Sequence, residues 1–197
     1  MLNPAGPWSI PLRLMFNPDA EYQALAAHHD PGSWRRALSG PALTALTIGS
    51  ITAISATGRI TASLMLSGAI CWSFVPLLQL ATAAPLVARG STSTIAPARA
   101  LELWFLAHGP WTLWIFLAIA VLATTSASQT WVVVSGIAPA LWTAWLLTAF
   151  FRQVRRLPIA GAVGRTAAHQ AITWVLILTY IQVMTATFTR VLGVVTG

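Results

Sequence analysis

Five long stretches of this chain carry no charged side chain: residues 38–57, 60–88, 111–125, 130–151 and 167–189. A hydrocarbon core about 30 Å thick takes roughly 20 apolar residues of helix to cross. Inside lipid, only a helix or a closed barrel keeps every backbone N–H and C=O paired. The third stretch is the shortest and can begin at His108, whereas the second is long enough to tilt or to extend past the lipid. Hydrophobic residues make up 56% of the chain and charged residues 8%, against about 25% charged in a soluble domain. A soluble fold of 197 residues has too much surface for its volume to hide that much apolar area. The fold class expected is therefore all-α: a polytopic membrane helical bundle of about five transmembrane helices, plus one or two short interfacial helices. Residues 1–37 form a cytoplasmic N-terminal segment and residues 38–197 the transmembrane domain.

The charge left over is distributed by side. All eleven basic residues are Arg, and they fall in the gaps between apolar runs rather than in one basic stretch. That pattern argues against a nucleic-acid module, which needs a contiguous basic face. With the N-terminus inside, the cytoplasmic side receives Arg13, Arg35, Arg36, Arg89, Arg99, Arg152, Arg155, Arg156 and Arg165, and the other side only Arg59 and Arg190. Nine against two follows the positive-inside rule. It also supports the span count, because losing one span would scramble every later assignment. Arg35, Arg36, Arg152, Arg155 and Arg156 are the main topology determinants, and the C-terminus comes out on the far side. The expected location is a bacterial inner membrane. Pro4, Pro7 and Pro11 break up the first dozen residues, so no signal-peptide core is expected there.

Two stretches read as interfacial helices. Asn17-Pro18-Asp19-Ala20-Glu21 has the form of a helix start: an Asn cap, Pro at the first position and acids in the first turn. That helix should run to His28-His29 and stop at Asp30-Pro31-Gly32. Residues 97–108 set Leu101, Trp104, Phe105 and His108 on one helical face, flanked by Arg99 and Glu102. Either helix can lie along headgroups or serve as an ordinary cytosolic linker. Trp34, Trp104, Trp111 and Trp131 fall near span ends, as in an aromatic belt.

Catalytic chemistry finds little footing. GxSxG, HExxH and Walker-type glycine motifs are all absent. The four acids are Asp19, Glu21, Asp30 and Glu102, none of them mid-membrane, where a coupled carrier usually needs an ionisable group. Adjacent His28 and His29 point about 100° apart on a helix, a poor start for a metal site. Haem ligation would draw on His108, His169 or Met184; interfacial hydrogen bonding is the simpler use of those histidines. No cofactor, metal or catalytic residue is assigned. The polar groups left inside spans are Gln79 and Gln182, each able to bond a neighbouring helix. Ser63, Ser67 and Cys71, and Gly49-x-x-x-Ala53, repeat small residues at a spacing that lets helices approach closely. Pro76 and Pro139 each remove a backbone donor mid-span. Cys71 is the only cysteine, so no intrachain disulfide can form.

Several short motifs add a resemblance. Phe16-Asn17-Pro18-Asp19-Ala20-Glu21-Tyr22, Trp34-Arg35-Arg36, the turn through Ala56-Thr57-Gly58-Arg59-Ile60, Trp72-Ser73-Phe74-Val75-Pro76 and His108-Gly109-Pro110-Trp111 occur in that order. In this layout the chain resembles the Yip (Ypt-interacting protein) domain family, in particular its divergent bacterial members. The resemblance implies five spans, a cytoplasmic N-terminus and a non-enzymatic scaffold or membrane organiser. Eukaryotic members work with small GTPases; their tyrosine-glycine motifs are absent here, so architecture carries over and no functional residue does. The other readings are a small accessory subunit of a respiratory, photosynthetic or transporter complex, and a small permease resting on Gln79, Gln182 and a Thr-rich first span. The expected partners are the lipid bilayer and other membrane proteins or further copies of the chain, with no nucleic acid. In a chain with Cys71 replaced by Ser, single cysteines at positions 128 and 160 are expected to react with an impermeant thiol reagent from opposite sides of the membrane. Labelling from one side would contradict the arginine partition.

Overall fold

A computed structural model describes residues 9–28, 30–88, 95–125 and 129–196. All regular structure among them is helical. The helices are α1 (Ser9–Phe16), α2 (Pro18–Ala27), α3 (Trp34–Thr57), α4 (Ala62–Trp72), α5 (Phe74–Ala88), α6 (Pro97–Leu106), α7 (Gly109–Thr124), α8 (Gln129–Ser135), α9 (Ile137–Gln153) and α10 (Ile159–Thr196). Two are long and apolar enough to cross a membrane, Trp34–Ile54 and the run Ala62–Val87, and the α6–α7 pair, bent by 40°, makes a third if taken as one broken span. Large apolar side chains such as Leu66, Ile70, Leu77, Leu117, Leu141 and Val175 face outward. That is what helices solvated by lipid present, and it is consistent with membrane residence.

Two helix breaks fall a turn before prolines, whereas Pro41 and Pro85 stay inside α3 and α5. Pro76 cannot donate to the Trp72 carbonyl, and α4 gives way to α5 at Ser73. Pro139 likewise leaves the Ser135 carbonyl without its helical donor, and α8 ends there, with Gly136 between it and α9. Pro18 begins α2 after Asn17, as its sequence suggests, although the Asn17 side chain makes no capping bond. Asp19 and Glu21 face arginines instead: Arg152 at 3.4 Å and Arg13 at 3.0 Å.

The α3–α4 hairpin is the most extensive helix pairing. Gly58 takes φ +65° at the α3 C-terminus, a left-handed conformation suited to glycine, and its N–H caps the Ile54 carbonyl. Further in, the backbones of Gly49 and Gly68 meet so closely that a Cβ on either would collide with the other's carbonyl group, and Ala53 packs beside them. The small residues of Gly49-x-x-x-Ala53 therefore sit at a helix crossing.

The core lies at the other end. Residues 143, 146, 147, 150, 151 and 154 form one buried stripe along α9, the 3.6-residue period of an amphipathic helix. They pack with Leu14, Tyr22, Leu101, Leu103, Trp104 and Ala162. Helix α6 departs from its expected place. Leu103 and Trp104 have no exposed surface, and Ala98, Arg99, Ala100 and Leu101 are buried with them. It is an internal element wedged against α3, α5 and α9, and Trp104 belongs to the core rather than to an aromatic belt. The charged flank can turn inward because Arg99 and Glu102 pair with each other at 3.0 Å.

Replacing Gly49 by Leu is expected to destabilise the folded protein by about 1–3 kcal/mol through overpacking. The same change at Gly40, with open space around it, should have little effect. Thermal unfolding of both variants in one detergent checks this.

Candidate functional site

His108 and His169, 61 residues apart in sequence, meet with their Nε2 atoms 3.2 Å apart in the buried core. Helix α6 delivers His108: the residue follows its last turn, and its Nδ1 lies 3.1 Å from the Trp104 carbonyl. Helix α10 delivers His169, whose Nδ1 lies 3.4 Å from the Thr173 hydroxyl one turn on. A carbonyl can only accept, so His108 Nδ1 donates, and in a neutral ring its Nε2 must accept. His169 Nε2 is then the donor between the rings, and its Nδ1 accepts from Thr173. The result is a directed chain from the Thr173 hydroxyl through two imidazoles to a backbone carbonyl.

Aromatic rings close around this chain. Trp104 meets His169 at 4.8 Å and His108 at 5.3 Å between ring centroids, and makes edge contacts with Phe150 and Phe151 at 5.7 and 5.8 Å. Through this direct imidazole contact the histidines form a hydrogen-bonded brace between α6 and α10. The side chain of Met184 lies outside the described residues, as does His29 of the His28-His29 pair. Among the described residues no three His, Cys, Asp or Glu side chains come together to hold a metal ion.

One side of the brace opens on a cavity of about 430 Å³ between α3, the α4–α5 break and the α6–α7 bend. Its walls are mostly apolar and include Thr44, Trp72, Pro76, Gln79, His108 and Trp111. Gln79 is half-buried there, while Gln182 is exposed on α10 and does not line it. The two glutamines thus do not form one polar site. Three of the four α3 threonines are turned to their own helix: Thr47, Thr52 and Thr57 each donate at 2.8 Å to the carbonyl four residues back, while Thr44 lines the cavity.

The arginines expected to set topology gather around the core end. Arg36 makes a two-pronged contact with Asp30 at 2.8 and 2.9 Å, and Arg35 beside it is exposed. Arg152 faces Asp19. Arg155 is buried, and Arg165 bonds the Leu86 carbonyl near the end of α5 and lies 5.9 Å above the Phe151 ring. Arg156 holds a left-handed backbone at φ 53°. Arg89 lies outside the described residues. Tyr22 anchors α2 by donating to the Leu103 carbonyl at 3.2 Å, and its complete burial pushes the phenol's pKa upward.

Together these features define an α-helical protein with helices long and apolar enough to cross a membrane and with a buried polar brace. Compared with family models, with curated proteins and with solved structures, the chain gives no match.

A double-mutant cycle with His108→Leu and His169→Leu is expected to show a coupling of about 0.5–3 kcal/mol, since either single change strands the other ring. Additive losses in unfolding free energy would mean that the two rings do not share a bond. The hydrogen bonds from Arg36, and then from the Gly32 N–H, hold the Asp30 carboxyl at about 2, below its ordinary 3.8. Because the folded value is the lower one, this contact contributes above pH 3.8 and is lost as pH falls through about 2. Asp30→Asn should therefore lower the unfolding midpoint at neutral pH, and the gap from wild type should close at the acid end of the titration.

Proposed function

We propose that the chain is a non-enzymatic, five-span membrane scaffold of the Yip type in a bacterial inner membrane, with its arginine-rich end and N-terminus cytoplasmic. On this reading the first span is α3, the second α4–α5, the third α7 with α6 as its buried inner extension, the fourth α8–α9 and the fifth the larger part of α10. Helix α3 has 24 residues and is about 36 Å long. Arg36 and Arg59 accordingly lie about a bilayer apart, which agrees with the partition of charge between the two sides.

The observation that carries the scaffold reading is the platform at the arginine-rich end. Helices α1 and α2 are tied to α9 and α6 by Arg152–Asp19, Gln153–Asp19 and Tyr22–Leu103 contacts, and Trp142 donates to the Met15 carbonyl at 2.8 Å. The segment outside the lipid is thus docked on the spans rather than trailing from them. A rigid, extramembrane face of this kind is what a scaffold needs in order to hold a partner. The interior chemistry fits the same role, because the histidine chain ends on the protein's own backbone and the acid of the adjoining cavity, Glu102, is paired with Arg99.

A second reading, the accessory subunit, draws on α4, none of whose residues is buried. That leaves the face of α4 turned away from α3 for lipid or for a neighbouring membrane protein. The permease reading loses support with the separation of Gln79 from Gln182 and the inward turn of the threonine hydroxyls. In-membrane cross-linking followed by native mass spectrometry of the purified chain is expected to recover a reproducible complex of fixed stoichiometry, with another membrane protein or with further copies. A chain that stays a solitary monomer under both treatments would overturn the scaffold and accessory readings alike.

A further inference from the structure

A second cavity, of about 730 Å³, opens at the arginine-rich end where the C-terminus of α2, the N-terminus of α6 and the C-terminus of α9 converge. Its wall carries Arg99, Arg152 and Arg156, with His28 and Gln23 beside them and Asp30 as its only acid. The nearby carboxylates are already engaged. Asp30 accepts two bonds from Arg36 and one from the Gly32 N–H, and Asp19 accepts from Gln153 at 2.8 Å. Glu102 holds only one edge of Arg99: the Arg99 Nε has no hydrogen-bond partner, in a residue only 8% exposed. A buried guanidinium N–H left without an acceptor is costly, and this one belongs to a side chain lining an open cavity. The α6 N-terminus adds partial positive charge to the same wall, and its N-cap Ala96 supplies no side-chain acceptor.

Arg156 makes no ion pair among the described residues and sits in the left-handed region at φ 53°. Glycine would take that backbone conformation with less strain. What glycine would not supply is the third cation of the cavity.

We propose that this cavity binds a phosphate ester. The guanidinium is a planar fork of N–H donors that matches phosphate oxygens two at a time. Three forks, one from α6 and two from the end of α9 and the turn after it, can surround one phosphate group. The volume is larger than a phosphate alone requires, so the glycerol or sugar of the ester lies toward Gln23 and His28. The same chemistry is offered by an anionic lipid headgroup, for which basic pockets between helices are suited, and by a soluble phosphate ester. This site is separate from the histidine brace and does not depend on the number of spans.

The test measures binding to the full-length chain in two arms. In neutral detergent, glycerol 3-phosphate is titrated against sodium chloride at matched ionic strength, with the thermal midpoint and calorimetric affinity as readouts. In nanodiscs, phosphatidylcholine alone is compared with phosphatidylcholine containing phosphatidylglycerol. Stabilisation in the first arm only identifies a soluble ester, and in the second only a lipid headgroup; stabilisation in both identifies the shared phosphate chemistry. Stabilisation in neither overturns the proposal. Arg99→Gln and Arg156→Gln are each expected to weaken binding by about tenfold, the loss of one charge-assisted contact. Arg59→Gln, at the far end of α3, should bind as wild type. Arg156→Gly separates binding from folding: it should raise the thermal midpoint without ligand while losing affinity. Undiminished affinity in the Arg156 variants, or an equal loss in Arg59→Gln, would overturn the assignment.

Discussion

The packing of Trp104 into the core decides where most of the other elements go. Its ring touches α9 through Phe150 and Phe151 and α10 through His169. Its own carbonyl receives the last hydrogen bond of the histidine chain. For the ring to reach that position α6 has to leave the interface and enter the bundle. The bend before α7 and the closing of α2 over the top of α6 are geometrical consequences of that placement. Burial of one large aromatic thus orders five helices without any ion pair crossing the core.

A polar interior in such a protein has to be self-contained. Water is scarce there, so each buried donor needs an acceptor supplied by the chain. The imidazole pair meets the requirement by alternating donor and acceptor roles along its length. Thr47, Thr52 and Thr57 meet it by bonding their own helix, and Thr148 donates to Ala144 while pairing with Thr166 of α10 at 3.1 Å. The requirement is not met at the Ser50 and Thr143 hydroxyls, the Trp104 indole N–H, Glu102 Oε2 and Arg99 Nε, of which only the last belongs to the wall of the arginine cavity.

Much of the architecture is legible in the sequence because it rests on local rules. Asn17-Pro18 marks the start of α2, and the helix breaks come a turn ahead of Pro76 and Pro139, where the lost backbone donor dictates them. The small residues of Gly49-x-x-x-Ala53 mark a close helix crossing. What escapes a local reading is pairing over distance. His108 and His169 are recognisable as two histidines near span ends, but only the folded chain joins them. The depth of α6 is hidden for a related reason: Arg99 and Glu102 look like a solvated flank until their mutual neutralisation lets that flank be buried. The arginine cavity is harder still to read, since Arg99 on α6 joins Arg152 and Arg156 at the end of α9 only in the folded chain, and all three appear in sequence only as charge that marks a side.

The close contact of Gly49 with Gly68 bears on how such a chain enters a membrane. Two apolar helices joined by four residues, with their backbones in direct contact, behave as one inserting body. In the proposed topology the tip of that body carries a single ionic group, Arg59, across the hydrocarbon. An arginine at the centre of a bilayer costs about 2.5–3.5 kcal/mol on insertion scales, a modest barrier when two apolar helices enter together. The glycine contact thereby makes the hairpin a unit of biogenesis, able to settle before the aromatic core at its other end has been synthesised.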